Sequence, residues 1–157
     1  MATSKEKRFN LGFVSVRTLL DDSNDYRKYS IRENYMKYFK LYEFDSPDMV
    51  GSGEAMDKEF LSKLDQARSL CDIPFKITSG YRTKEYNEGL LARGYKASNN
   101  SSHLKGLAAD IACTNSAARH IIVSALLKVG LNRIGIADTF IHVDRDPSKV
   151  ANVIWTY

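Results

Sequence analysis

The chain has 157 residues, 43% of them hydrophobic and 27% charged, which suits a soluble protein with one domain and one core. Its formal net charge is +4 and its pI about 9.0, a modest excess of mixed sign; no cluster of Arg, Lys and aromatic residues accompanies it, so a nucleic-acid reader is not expected. No apolar run of about 18 residues occurs, which excludes a membrane span, and the segment Phe9 to Val16 is broken by Asn10 and Gly12 before Arg17, so no secretory signal is expected.

Residues 1–37 are rich in charge and tyrosine, as in Arg27-Lys28-Tyr29 and Tyr35-Met36-Lys37-Tyr38. They read as an N-terminal extension with imperfect helical periodicity around Leu19, Leu20 and Tyr26 to Phe39. Such an extension either packs on the domain or serves as a partner-binding arm. The remaining residues, 38–157, form the domain proper. Ser46-Pro47-Asp48 predicts a turn and Gly51-Ser52-Gly53 a flexible joint.

An amphipathic helix is predicted over 54–70, with Met56, Phe60, Leu64, Ala67 and Cys71 on its stripe. Asp72-Ile73-Pro74 stops it, and Phe75 to Thr78 reads as a strand ending at Gly80. A short helix over 84–93 closes at Gly94, and 96–102 is a polar loop. Leu107 to Cys113 reads as a second strand. Asn115 caps a helix over 116–129, which ends at Gly130. Two β segments, Arg133 to Ala137 and Phe140 to Asp144, close the domain as a hairpin. The order predicts an α+β fold with helices packed on a small, mostly antiparallel sheet.

Cys71 and Cys113 are too few for a disulfide framework and read as small buried hydrophobes. His120 falls off the apolar stripe of its helix and reads as a surface residue. The other two histidines, His103 and His142, lie beside acids, in Ser101-Ser102-His103-Leu104-Lys105-Gly106-Leu107-Ala108-Ala109-Asp110 and Phe140-Ile141-His142-Val143-Asp144. Two imidazoles and one carboxylate make a donor set that suits a catalytic zinc with one position left open. His103 and Asp110 are separated by an odd number of positions, so they converge only if the chain bends between them, and Gly106 is placed to allow the bend. His142 and Asp144 sit two apart on a predicted strand and share a face about 7 Å apart. Asp110, set among Ala108, Ala109 and Ile111, is a carboxylate that burial would penalise unless it is paired or metal-bound. Trp155 and Tyr157 read as a core residue and a terminus.

The pattern Ser101-x-His103-x-x-Gly106-x-Ala108-x-Asp110, followed by His142-x-Asp144, resembles the M15 family of zinc D-Ala-D-Ala carboxypeptidases and L-alanyl-D-glutamate endopeptidases. Thr78-Ser79-Gly80-Tyr81-Arg82 is similar to that family's Ser-Gly-Tyr-Arg stretch. Tyr42-Glu43-Phe44-Asp45 is similar to the opening motif of its smaller, often phage-encoded members. The likeness covers roughly residues 38 to 155. It implies an M15/hedgehog-like zinc peptidase domain, with His103, Asp110 and His142 as Zn²⁺ ligands and Arg82 steadying substrate or oxyanion. The general base of well-known members lies three residues before the last ligand, where this chain has Thr139. That leaves Asp144 and Asp138 as candidates, with Asp144 favoured by strand parity and also suited to orienting a ligand.

What the resemblance implies is a metallopeptidase that hydrolyses peptidoglycan peptides, acting as an endolysin-like phage lysis or cell-penetration enzyme. It would be a monomer, made in the cytoplasm and reaching the cell wall after release. Another class also fits: a non-catalytic zinc module that recognises a wall peptide or protein partner. A third, nucleic-acid binding by the basic arm, rests on charge alone.

Overall fold

The computed structural model describes residues 36–157. Most of the N-terminal extension, with the helices expected there, lies outside the described residues. Its last two residues, Met36 and Lys37, are built into the domain beside Tyr38 and Phe39. Met36 and Phe39 are buried in the core, and the Asp65 carboxylate accepts hydrogen bonds from the backbone N–H groups of Lys37 and Tyr38 at 2.8–3.0 Å.

A 3₁₀ turn over Leu41–Phe44 follows, then a second over Ser52–Ala55. The second replaces the expected flexible joint. Asp45 accepts from the N–H groups of Gly51 (2.8 Å) and Gly53 (2.7 Å), and Ser52 and Gly53 are buried. Helix α1 therefore starts at Lys58 rather than 54, where Asp57 caps it by accepting from Phe60 N–H at 2.7 Å, and it runs to Ser69. Its inner face carries Phe60, Leu61, Leu64 and Ala67, all fully buried. Each large side chain so removed from water contributes about 1.5–3 kcal/mol.

Strand β1 spans Ile77–Ser79, and helix α2, Lys84–Ala92, is capped by Thr83. A 3₁₀ turn over Ser102–Lys105 leads through Gly106 into β2, Ala108–Ala112. Helix α3, Ser116–Lys128, is capped by Asn115. Then come β3, Arg133–Ile136, β4, Phe140–Asp144, and β5, Val153–Thr156. The sheet order is β1-β2-β4-β3-β5, antiparallel except for the parallel β3–β5 pair. This is the expected α+β plan with one strand more than the sequence reading contained. No helix among the described residues is long and apolar enough to cross a membrane.

The strand period of two sorts the sheet's side chains onto two faces. Ala109, Ile111, Ile134, Ile141 and Val143 pack with α1 and α3 residues such as Leu64, Ile122 and Leu126 to form the core. Cys71 and Cys113 are buried and free. The opposite face carries Asp110, His142, Asp144 and Arg133, and there the chemistry collects.

Candidate metal centre

One row of register-matched residues crosses the sheet: Ser79 faces Asp110, Asp110 faces His142, His142 faces Gly135, and Gly135 faces Trp155. The register of the β2–β4 pairing thus sets Asp110 beside His142. His103 arrives from outside the sheet. The 3₁₀ turn that carries it ends at Gly106, whose φ of +67° turns the chain into β2. The odd spacing between His103 and Asp110 is accommodated by this bend.

Three acceptor atoms meet at this point. His103 Nε2 lies 3.3 Å from Asp110 Oδ1 and 3.3 Å from His142 Nδ1, and His142 Nδ1 lies 2.8 Å from Asp110 Oδ1. The protonation of both rings follows from their other nitrogens. His103 Nδ1 sits 2.6 Å from the Gly80 carbonyl oxygen, which can only accept, so that nitrogen carries the hydrogen. His142 Nε2 sits 3.0 Å from Asp144 Oδ2 and donates to it. With both rings neutral, two imidazole lone pairs and a carboxylate oxygen point at one another in a buried place. That arrangement is unfavourable without a cation between them. Zinc bonds of 2.0–2.2 Å in a tetrahedron separate neighbouring donors by about 3.3 Å, close to the spacing here. The donor set, its geometry and its tautomers all fit a metal ion such as zinc, held by His103, Asp110 and His142.

Further side chains hold these three residues in place. Arg82 Nη2 pairs with Asp110 Oδ2 at 3.0 Å, and its Nε donates to Ser79 Oγ at 2.9 Å. Asp144 is almost fully buried; besides His142 it accepts from Arg133 Nε at 2.8 Å and from the backbone N–H of Asp146 at 3.0 Å. It thus engages the ring nitrogen of His142 that does not face the cluster, which is how carboxylates orient metal-bound imidazoles. Asp146 fixes the turn that bears His103. It accepts from Ser102 Oγ at 3.1 Å and Lys105 Nζ at 2.8 Å across the gap from the segment after β4. Asp138 is exposed in the β3–β4 turn, where its backbone carbonyl accepts from Arg119, and it does not line the cleft. His120 is exposed, as expected.

Burial resists the charge on Asp110, but the adjacent His103 and His142 outweigh it and hold its carboxyl well below the usual range. Burial holds His103 below 6.5, against the pull of Asp110. His142 is also opposed by burial, yet hydrogen bonds to Asp110 and Asp144 raise it above 6.5. In the metal-free protein His142 is therefore the ring that takes up an extra proton more readily. Its raised value contributes stability that is full below the unfolded histidine range and is lost as pH rises through the folded value. Zinc must displace that proton. Calorimetry in buffers of different ionisation enthalpy is expected to show protons released as zinc binds, the number falling toward zero as pH rises through the range in which His142 titrates.

The cluster opens into a cleft of about 460 Å³ lined by Arg82, Lys96, Arg133, Lys149, Trp155 and Tyr157. A side lobe of about 330 Å³ adds Leu90, Tyr95 and Phe140. Trp155 is not a core residue. Its indole lies across Gly135, with its centroid 5.7 Å from that of His142, and the Arg133 guanidinium stands 5.4 Å over it. A Cβ at Gly135 would meet the indole at 2.7 Å, so the approach depends on glycine there. Tyr157, 47% exposed, lines the cleft. The sequence reading missed this wall. The signal was present in Val153-Ile154-Trp155-Thr156, a β-branched and aromatic run with Trp155 and Tyr157 two apart.

A buried His-Asp-His donor set at the floor of an open cleft, braced by an arginine and a carboxylate, is the equipment of a metal-dependent hydrolase. Residues 37–144 match the family model described as Peptidase M15, and the chain belongs to that family of metallopeptidases. The matched span contains all three donors and ends at Asp144, ahead of β5. No curated protein matches the chain.

Proposed function

We propose that this protein is a zinc peptidase that hydrolyses peptide bonds of bacterial peptidoglycan, as a phage lysis or cell-penetration enzyme. The observation that carries the reading is the convergence of His103 Nε2, Asp110 Oδ1 and His142 Nδ1 within 3.3 Å of one another. The cleft beside them supports the choice of substrate. Arg82, Lys96, Arg133 and Lys149 line it and, among the described residues, Asp144 is its only acid, so it favours a peptide carrying carboxylates, as wall peptides do.

When bound, zinc supplies Lewis-acid polarisation of the scissile carbonyl and an acidified water. The chain's own residues arrange the rest. Gly80 and Asp144 fix the tautomers of His103 and His142, so that each offers a lone pair to the metal. Arg82, steadied by its hydrogen bond to Ser79 Oγ, holds Asp110 through Oδ2 and leaves Oδ1 for the same purpose. The indole of Trp155 shields one side of His142 from water.

Zinc-loaded protein is expected to release hydrolysed stem peptides from purified peptidoglycan, read by mass spectrometry, and a chelator should stop the release. The bond cut identifies the enzyme as a carboxypeptidase or an endopeptidase. A second reading, a non-catalytic zinc module, is favoured by one observation: among the described residues the cleft is lined by no carboxylate free of partners, since Asp144 is held on both oxygens. Full zinc occupancy with no cleavage of any wall peptide would select that reading.

A further inference from the structure

We propose that the phenol of Tyr157 is a catalytic group that donates a hydrogen bond to the oxyanion formed at the scissile carbonyl. The proposal rests on the peptidase reading above and extends it to a residue beyond the matched family span. Hydrolysis through a tetrahedral intermediate places negative charge on the former carbonyl oxygen, and a donor already aimed at it lowers the barrier. Arg82 is the donor that resemblance suggests; its Nε and Nη2 engage Ser79 and Asp110, bracing the metal centre, so a further donor beside its remaining N–H groups would add to the hold on the oxyanion. Lys149 is tied to Ser102 Oγ at 2.9 Å.

Tyr157 is placed differently. It continues β5 two residues after Trp155 and so faces the same side of the sheet. Its backbone N–H donates to the Ile136 carbonyl at 3.1 Å, which holds the ring in register. The ring packs on Phe140 at 5.5 Å and on Trp155 at 6.3 Å. A Cβ at Gly135, the neighbour of His142 across the sheet, would lie 2.8 Å from its edge. Tyr157 lines both the main cleft and the side lobe, each time with Arg82. Burial, and the negative charge of Asp110 nearby, push the phenol above its ordinary 10.0, so it stays a neutral donor at working pH. The phenol keeps its proton throughout; only a hydrogen bond forms, and it is strongest when the oxygen is charged.

The test compares Tyr157→Phe, which preserves the ring contacts, with the parent, both zinc-loaded. Substrate is a wall peptide that the parent cleaves, and a phosphinic dipeptide serves as a tetrahedral anion probe. The proposal expects kcat to fall about 100-fold with KM nearly unchanged. The phosphinate should bind correspondingly more weakly, while affinity for the product peptide, zinc content and Tm stay at the parent's values. Parental kcat and parental phosphinate affinity in Tyr157→Phe would overturn the proposal and leave the peptidase reading intact. A parent that neither cleaves wall peptides nor binds the phosphinate would overturn both.

Discussion

Replacing His142 by Ala is expected to abolish stoichiometric zinc binding and, with it, peptide hydrolysis. The loss should exceed the roughly 10- to 100-fold that follows removal of a partner outside the ligand shell. His142 supplies one of three donors, and without it Asp110 keeps only His103 beside it and Arg82 behind it. The same argument grades two further variants. Asp144→Asn keeps the shape but weakens the hold on His142 Nε2 and on Arg133, so zinc affinity should fall by about 10- to 100-fold. Asp138→Ala changes an exposed turn away from the cleft and should leave affinity unchanged. Competition with a chromophoric chelator measures all three. Equal losses from Asp138→Ala and Asp144→Asn would contradict the placement of both acids.

Gly106→Ala is expected to destabilise the protein by about 3 kcal/mol, the sum of a left-handed conformation and a steric overlap. Gly106 holds φ at +67°, and a Cβ there would lie 2.2 Å from the Ala55 carbonyl oxygen. The neighbour is backbone that cannot swing aside, because the Gly106 carbonyl itself accepts from Asp57 N–H at 2.9 Å, at the start of α1. Relief would shift the His103 turn relative to β2 and separate His103 from Asp110. Thermal unfolding should show a fall in Tm of roughly 10 °C, and zinc affinity should drop in parallel. A variant with the parent's Tm would show that this junction is not a constraint on the site.

Much of the centre was legible because it is written in local spacing. His142 and Asp144 share a face through strand alternation, and Asp110 lies on a strand whose apolar neighbours mark it as buried. The parity between His103 and Asp110 demanded a bend, and the glycine that supplies it stands between them. Caps and breakers such as Asn115, Gly94 and Gly130 placed the helices to within a residue or two. What escaped depends on partners far away in sequence. Asp45 turns the Gly51-Ser52-Gly53 segment into a buried 3₁₀ turn by bonding its N–H groups, and composition alone reads those residues as a loose joint. β5 pairs in parallel with β3, and nothing local to Val153–Thr156 announces that register. Trp155 and Tyr157 therefore read as a core residue and a terminus, although Gly135 and the parallel pairing bring them to the cleft. The partner of Arg82 was equally invisible: motif position suggests a group acting on substrate, while the geometry engages it in holding Asp110; for Asp144, which reads both as a base and as a residue orienting a ligand, the geometry shows its hold on His142.

X-ray absorption at the zinc edge, on protein loaded with one zinc per chain, tests the central claim most directly. The account predicts a nitrogen and oxygen shell at about 2.0–2.1 Å with the multiple scattering of two imidazoles and no sulfur. A sulfur shell near 2.3 Å would place the metal at Cys71 or Cys113. That result, or failure to take up zinc at neutral pH, would contradict the assignment of His103, Asp110 and His142.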